Sequence, residues 1–322
     1  MGAQALAPNW MMEPLVADGS RKVVYAALSG NLAIAITKFA AFGFTRSTAM
    51  LTEAIHSVVD TADQILLLIG QKRSERAPDE THPFGYGMEI YFWSFIVALL
   101  IFFVGGAVSI RQGIERILSP EPLVRPWINY LVLAASAVFE GGSFLVGYRE
   151  YRRIVRGREV RGREIRLWEF VKISKDPNLF TTLLEDGAAL TGLVIAALGV
   201  AGSSLLGLTW ADGAASILIG LLLLCVAFVL ANESRSLIAG EAAAPPIVQA
   251  VQAAARDDTR IEVVELSTLH LGPQAIMVEV APRFRADLSA EDLKLTMTDL
   301  IARVRAADPR ICSVFVRPLD GA

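Results

Sequence analysis

His56 and Asp60 stand one helical turn apart in LTEAIHSVVDTADQILL, residues 51–67, inside a run apolar enough to read as a membrane span. Spacing of i, i+4 places an imidazole and a carboxylate on one face of a helix. Glu53 and Gln64 extend that stripe, and Asp63 is its least explained member. An ionisable group within a span costs roughly 2.5–3.5 kcal/mol on insertion scales, so such groups face a bundle interior or a water-filled path. A second acidic pair, Glu185 and Asp186, lies in DPNLFTTLLEDGAALTG, inside another apolar run. Lys38, Glu140 and Asp212 add further charges in or at the start of such runs. One imidazole with carboxylates from two helices suits a divalent transition metal, since imidazole favours zinc and its neighbours and carboxylate accepts both zinc and harder ions. Two helices that each bring part of a coordination shell can also take it apart when they move.

The elements that must position these groups follow from composition. The chain has 322 residues, 53% hydrophobic and only 20% charged, with a mean hydropathy of +0.47. Apolar residues gather at 23–44, 47–70, 90–110, 127–148, 178–207 and 210–231, each near the ~20 residues a helix needs to cross the hydrocarbon core. The expected fold is an all-α bundle of six transmembrane helices over 21–240, after an N-terminal arm at 1–20. From 241 to 322 the text turns charged and alternating. IVQAVQAAARDD reads as a helix, and IEVVELSTLHL and QAIMVEVAPRF read as strands about Gly272-Pro273. SAEDLKLTMTDLIARVRAADP reads as a helix opened by Ser289 and Asp292, and ICSVFVRPL as a last strand. The tail is therefore expected to be a small α+β domain of order αββαβ, ferredoxin-like, with helices on one side of its sheet.

The net charge of −3 is uninformative, but its distribution is not. REYRRIVRGREVRGREIRLWEFVKISK at 149–175 and KRSER at 72–76 are basic, and the remaining loops carry little positive charge. Positive loops mark the inner side, which puts both basic loops, the tail and both termini in the cytoplasm. Beside a span, the arginine run is topogenic and lipid-facing rather than a nucleic-acid surface, so no nucleic-acid partner is expected. Cys225 and Cys312 suit neither a disulfide framework nor a cysteine zinc cluster. The N-terminal stretch lacks a charged region followed by an apolar one, so no cleaved signal is expected. That N-terminus and the arginine-rich inner loop point to a bacterial inner membrane. No phosphate-binding loop or nucleophile triad supports an enzyme.

HSVVD in the second run, HPFGYG after it, LLED in the fifth, WADGAASILIG in the sixth and the αββαβ tail resemble the cation diffusion facilitator family over roughly 21–322. EAIHSVVDTADQ and LLEDGAAL are most similar to the branch that includes a mitochondrial zinc exporter of animals. The resemblance implies a homodimeric, proton-coupled efflux carrier with no tightly bound cofactor. Its substrates would be protons and a divalent metal, zinc first, with manganese, iron or cobalt as alternatives. His56, Asp60 and Asp186 match the family's transport ligands, whereas Thr182 stands where the fifth span usually has a histidine. Glu185, water or Glu53 would complete the shell. A membrane scaffold or sensor that lost transport along with that histidine is the rival reading. Asp79 and His82 form a remnant of the family's loop site, with Tyr86 in place of a histidine and Met88 in place of a basic residue. His270 is the one tail histidine, so no metal cluster is expected there.

Overall fold

A computed structural model of the chain describes residues 18–121, 123–156, 175–256 and 258–319. Most of the expected N-terminal arm and much of the arginine run lie outside the described residues. Six long helices come first: α1 (Asp18–Thr45), α2 (Thr48–Ser74), α3 (Glu89–Leu118), α4 (Pro126–Arg156), α5 (Pro177–Leu205) and α6 (Ala211–Ile238). Their boundaries follow local chemistry. Arg46 turns the chain at φ 55°, and Ser47 then caps α2, its hydroxyl accepting from the Met50 amide at 3.2 Å. Asp176 caps α5 by accepting from the Asn178 amide at 3.1 Å, with Pro177 at the first helical position, where a missing N–H costs nothing.

Among the described residues, four helices are long and apolar enough to cross a membrane: Glu89–Leu118, Pro126–Arg153, Phe180–Leu205 and Ala211–Ile238. α2 falls outside that set because Glu53, Asp60 and Asp63 interrupt its apolar run. In α1 the apolar stretch is the shorter Asn31–Thr45. Large apolar side chains face outward, among them Val138 at 74% and Phe228 at 72% exposure, which lipid rather than water would cover. Lipid tails are as apolar as leucine, so helices in a bilayer are joined by close packing and polar contacts. Both occur here. α3 passes through a π-helical stretch, Ile101–Ala107, and Gly106 brings it against α6, where an added Cβ would stand 2.5 Å from Leu224 Cδ2. Two turns further on, a Cβ on Gly113 would meet the Gly213 carbonyl at 2.6 Å. Met50, Val97, Ile101, Phe180, Ile219 and Leu223 fill the interior.

The tail has α7 (Pro245–Arg256), β1 (Ile261–Gly272), β2 (Ala275–Phe284), α8 (Ala290–Ala307) and β3 (Ile311–Val316), the αββαβ order that the alternation predicts. β1 and β2 pair antiparallel across the Gly272-Pro273 turn, and α8 carries the chain over so that β3 pairs parallel to β2. Ser289 opens α8, accepting from the Asp292 amide at 3.1 Å. Val251, Val278, Val280, Leu300 and Val304 are fully buried between the helices and one sheet face. Elsewhere on the sheet Arg317 bridges Glu279 and Glu265, both at 2.7 Å.

Tail and bundle meet through main chain. A Cβ on Gly87, in the α2–α3 loop, would lie 2.3 Å from the Leu271 carbonyl oxygen, and Gly272 packs back on Gly87. Beside this contact Lys175 pairs with Glu241, and Phe84 meets Phe315 edge-on at 6.2 Å between ring centroids.

Candidate functional site

Polar residues of α2 and α5 meet at mid-helix. The i, i+4 spacing brings His56 Nδ1 to 3.2 Å from Asp60 Oδ1. The alignment is too poor for a hydrogen bond, and among the described residues neither buried ring nitrogen of His56 has a hydrogen-bond partner. The imidazole itself is only 2% exposed. Buried polar groups are nearly always bonded, so an imidazole with two idle nitrogens requires an explanation. Asp60 lines a cavity of about 40 Å³ that also holds Glu140, Thr182, Glu185 and Asp186. Glu185 faces Asp63 across the α2–α5 interface, close enough for a carboxyl–carboxylate hydrogen bond, and no other donor among the described residues reaches either Asp63 oxygen.

The expected ligands are gathered but not closed into a shell. Asp186 accepts from Ser143 Oγ at 2.7 Å. The Thr182 hydroxyl donates to the Asn178 carbonyl of its own helix at 2.8 Å. Among the described residues, no three of His, Cys, Asp and Glu stand close enough together to hold a metal ion. The donor types still fit one: an imidazole nitrogen and carboxylate oxygens are the set that zinc and neighbouring metals take.

Lys38 determines which carboxylates remain. Fully buried on α1, its Nζ donates to Glu53 Oε2 at 3.0 Å and to Glu140 Oε1 at 2.8 Å. Glu53 is thereby committed to Lys38 rather than to the ligand set, and Lys38 makes its pairs there instead of with Glu185. Sequence reading passed over Ser143 and gave Glu140 no role at the site. The signal was present, since the two stand i, i+3 on one face of an otherwise apolar helix.

Asp212 belongs elsewhere, at the start of α6 near the opposite end of the bundle. Its carboxylate accepts from Ser47 Oγ and the Thr48 amide, both at 2.5 Å, and from the Ala49 amide at 3.4 Å. Arg116 Nε lies 3.7 Å away. One helix thus caps another: a negative charge sits on the α2 N-terminus, where the helix dipole favours it.

In the α2–α3 loop, Asp79 accepts from Tyr86 Oη at 2.6 Å, Thr81 Oγ1 at 2.7 Å, and the Thr81 and His82 amides at 2.9 and 2.8 Å. These donors, Tyr86 first, hold its carboxyl well below the usual carboxylate range. His82 stacks on Tyr86 at 4.0 Å between centroids, and its Nδ1 lies 3.8 Å from Asp79 Oδ1. In the tail, burial pushes the His270 imidazole pKa down, and its Nδ1 faces the Gly272 carbonyl at 3.2 Å.

Apolar helices around a core of buried carboxylates, an imidazole and a lysine are the build of a multi-pass membrane protein. A family model of the cation efflux transmembrane domain matches residues 24–239, and the chain belongs to that family. This agrees with a transport protein rather than an enzyme. Human "Proton-coupled zinc antiporter SLC30A9, mitochondrial" is 33% identical over 265 residues, 81% of this chain and 46% of that protein. Its Xenopus laevis counterpart is 31% identical over 298 residues, 90% of this chain and 52% of that protein. "Metal tolerance protein C4" of Arabidopsis thaliana is 33% identical over 223 residues, 69% of this chain and 48% of that protein. The chain spans about half the length of these curated relatives. They also correct the bacterial inner-membrane expectation, because they are mitochondrial and plant proteins. The charge rule behind that expectation distinguishes the two sides of a membrane, not one membrane from another.

Proposed function

We propose that the chain is a carrier that exports a divalent transition metal, zinc first, in exchange for protons. On this reading α1 and α2 join the four apolar helices to make six spans. The chain divides into an arm at 1–20, a membrane domain at 21–240 and a tail at 241–322 through which two copies associate. The observation that carries the reading is the His56 imidazole, buried with both nitrogens idle beside Asp60, whose cavity also holds Glu185 and Asp186. The name of the human relative, a proton-coupled zinc antiporter, supports the choice of metal and counter-ion.

His56, Asp60 and Asp186 are the ligands of this proposal, with Glu185 in the place that Thr182 leaves open. Ligands must shed protons to take up metal, so binding and proton release are linked. With α2 and α5 open toward the tail side, Asp186 leaves Ser143 for the metal. When the helices reopen on the far side, incoming protons displace the ion, and the protonated ligands return. A one-unit pH difference supplies about 1.4 kcal/mol per proton, and 100 mV about 2.3 kcal/mol per net charge moved.

Three carboxylates to one imidazole is an oxygen-rich balance, and it favours a second reading in which manganese, iron or cobalt is carried. Purified protein in vesicles, given each metal across an imposed pH step, tests both. Zinc uptake that follows the proton gradient and vanishes in a His56→Ala/Asp60→Ala variant is expected. Uptake at the wild-type rate in that variant would overturn the site, and no uptake of any metal by the wild type would overturn the carrier.

A further inference from the structure

We infer that Lys38 determines metal specificity: it is a resident cation that holds Glu140 out of the metal's coordination shell. The inference rests on the carrier reading above. Lys38 is fully buried, and two of its N–H groups reach carboxylates on different helices, Glu53 on α2 and Glu140 on α4. Stability alone does not explain the arrangement, because well-packed apolar residues of similar volume can often join the same helices as firmly as a buried ion network. Position does explain it. Glu140 lines the same cavity as Asp60, Glu185 and Asp186. One of its oxygens is taken by Lys38, while the other, Oε2, is buried and accepts from nothing among the described residues. Glu140 is therefore at the metal site, with a free oxygen, and is restrained by a single ammonium group.

The chemistry of that restraint concerns selection. With Glu140 held back, one imidazole competes on fair terms with three carboxylates, a set zinc accepts. Release of Glu140 adds a fourth oxygen donor and shifts the shell toward harder ions such as manganese. Glu53 shares the ammonium from the opposite side. Its side chain is fully enclosed and packed against Gly192 of α5, whereas that of Glu140 is 11% exposed, so Glu53 anchors Lys38 and Glu140 is the partner freer to leave.

The test uses purified full-length protein in detergent. Manganese binding is read from the loss of the free aqua-manganese resonance in electron paramagnetic spectra, and zinc binding from displacement of manganese. Lys38→Met is expected to shift the ratio of dissociation constants by about tenfold toward manganese, the lower end of what outer-shell partners contribute to metal affinity. Adding Glu140→Gln should return the ratio to the wild-type value, and Lys38→Arg should keep it. Because Lys38→Met strands two carboxylates, Lys38→Met/Glu53→Gln is measured in parallel; it strands Glu140 alone and should give the same shift. An unchanged ratio in the folded Lys38→Met variants, or a shift that survives Glu140→Gln, overturns the role of Lys38. Wild-type protein that binds neither metal overturns the carrier reading instead, so the two failures are distinguishable.

Discussion

Two ends of α2 treat buried acid in opposite ways. At its N-terminus, Asp212 is fully enclosed and saturated: a hydroxyl, two amides and a nearby guanidinium meet its two oxygens. At mid-helix, Asp63 is equally enclosed, yet among the described residues only the Glu185 carboxyl reaches it, and His56 two turns away has two idle nitrogens. Both regions pay the desolvation cost of buried polar groups. Only the first recovers it in hydrogen bonds. A saturated carboxylate acts as a fastener, and an unsaturated group is kept available for something that arrives.

The largest expected effect tests the unsaturated end. His56→Ala should bring metal uptake in vesicles to background while the unfolding midpoint in detergent stays near wild type, because no hydrogen bond is lost. A collapse in stability comparable to that of a fastener would break the comparison. At the other end, Asp212→Ala leaves the Ser47 hydroxyl and two α2 amides without their acceptor, while Arg116 keeps Glu121 and the Arg46 carbonyl. Thermal unfolding should register a loss of about 1–3 kcal/mol, as for buried donors left unsatisfied. Asp63→Asn should cost less than about 1 kcal/mol, since the amide can still hydrogen-bond the Glu185 carboxyl. Gly192→Ala probes the border between the two behaviours. Its Cβ would press on Glu53 Oε1 at 2.7 Å and disturb the Lys38 triad, for an expected loss of about 1–3 kcal/mol as an overpacked site.

The smallest effect lies in the tail. Asp258 accepts from Arg260 at 2.8 Å and from Arg303 at 3.0 Å. The Arg260 hydrogen bond above all holds its carboxyl well below the usual range. A depressed folded pKa gives stability that is complete above the unfolded value and fades as pH falls through the folded one. Asp258→Asn should therefore speed amide exchange in β1 and β2 at pH 7 by an amount worth at most about 1 kcal/mol, as for exposed ion pairs. The gap between variant and wild type should close in strong acid. A gap that persisted there would mean that the Asp258 charge is not its source.

Much of this was legible in the sequence, for physical reasons that also mark where reading stops. The αββαβ order shows because strand alternation and the Ser289 cap are local signals. The i, i+4 spacing of His56 and Asp60 fixes their proximity within one helix. Partner choice across helices is not local: Lys38 reaches Glu53 and Glu140 from 15 and 102 positions away, so its ion pairs depend on how three helices pack. The trans cap by Asp212 was hidden for the same reason, 164 positions from the amide it fastens. The Ser143 contact to Asp186 was hidden too, although its spacing from Glu140 hinted at a polar face on α4.

The junction at Gly87 has a mechanical consequence. Side chains at a joint can swivel and absorb movement, but here two stretches of main chain lie against each other with no room for a methyl group. Such a joint has almost no play. A tilt of the tail bears directly on the α2–α3 loop and, through it, on the last turn of α2. The tail thus has leverage, stiff and short-armed, on the helix that carries His56 and Asp60.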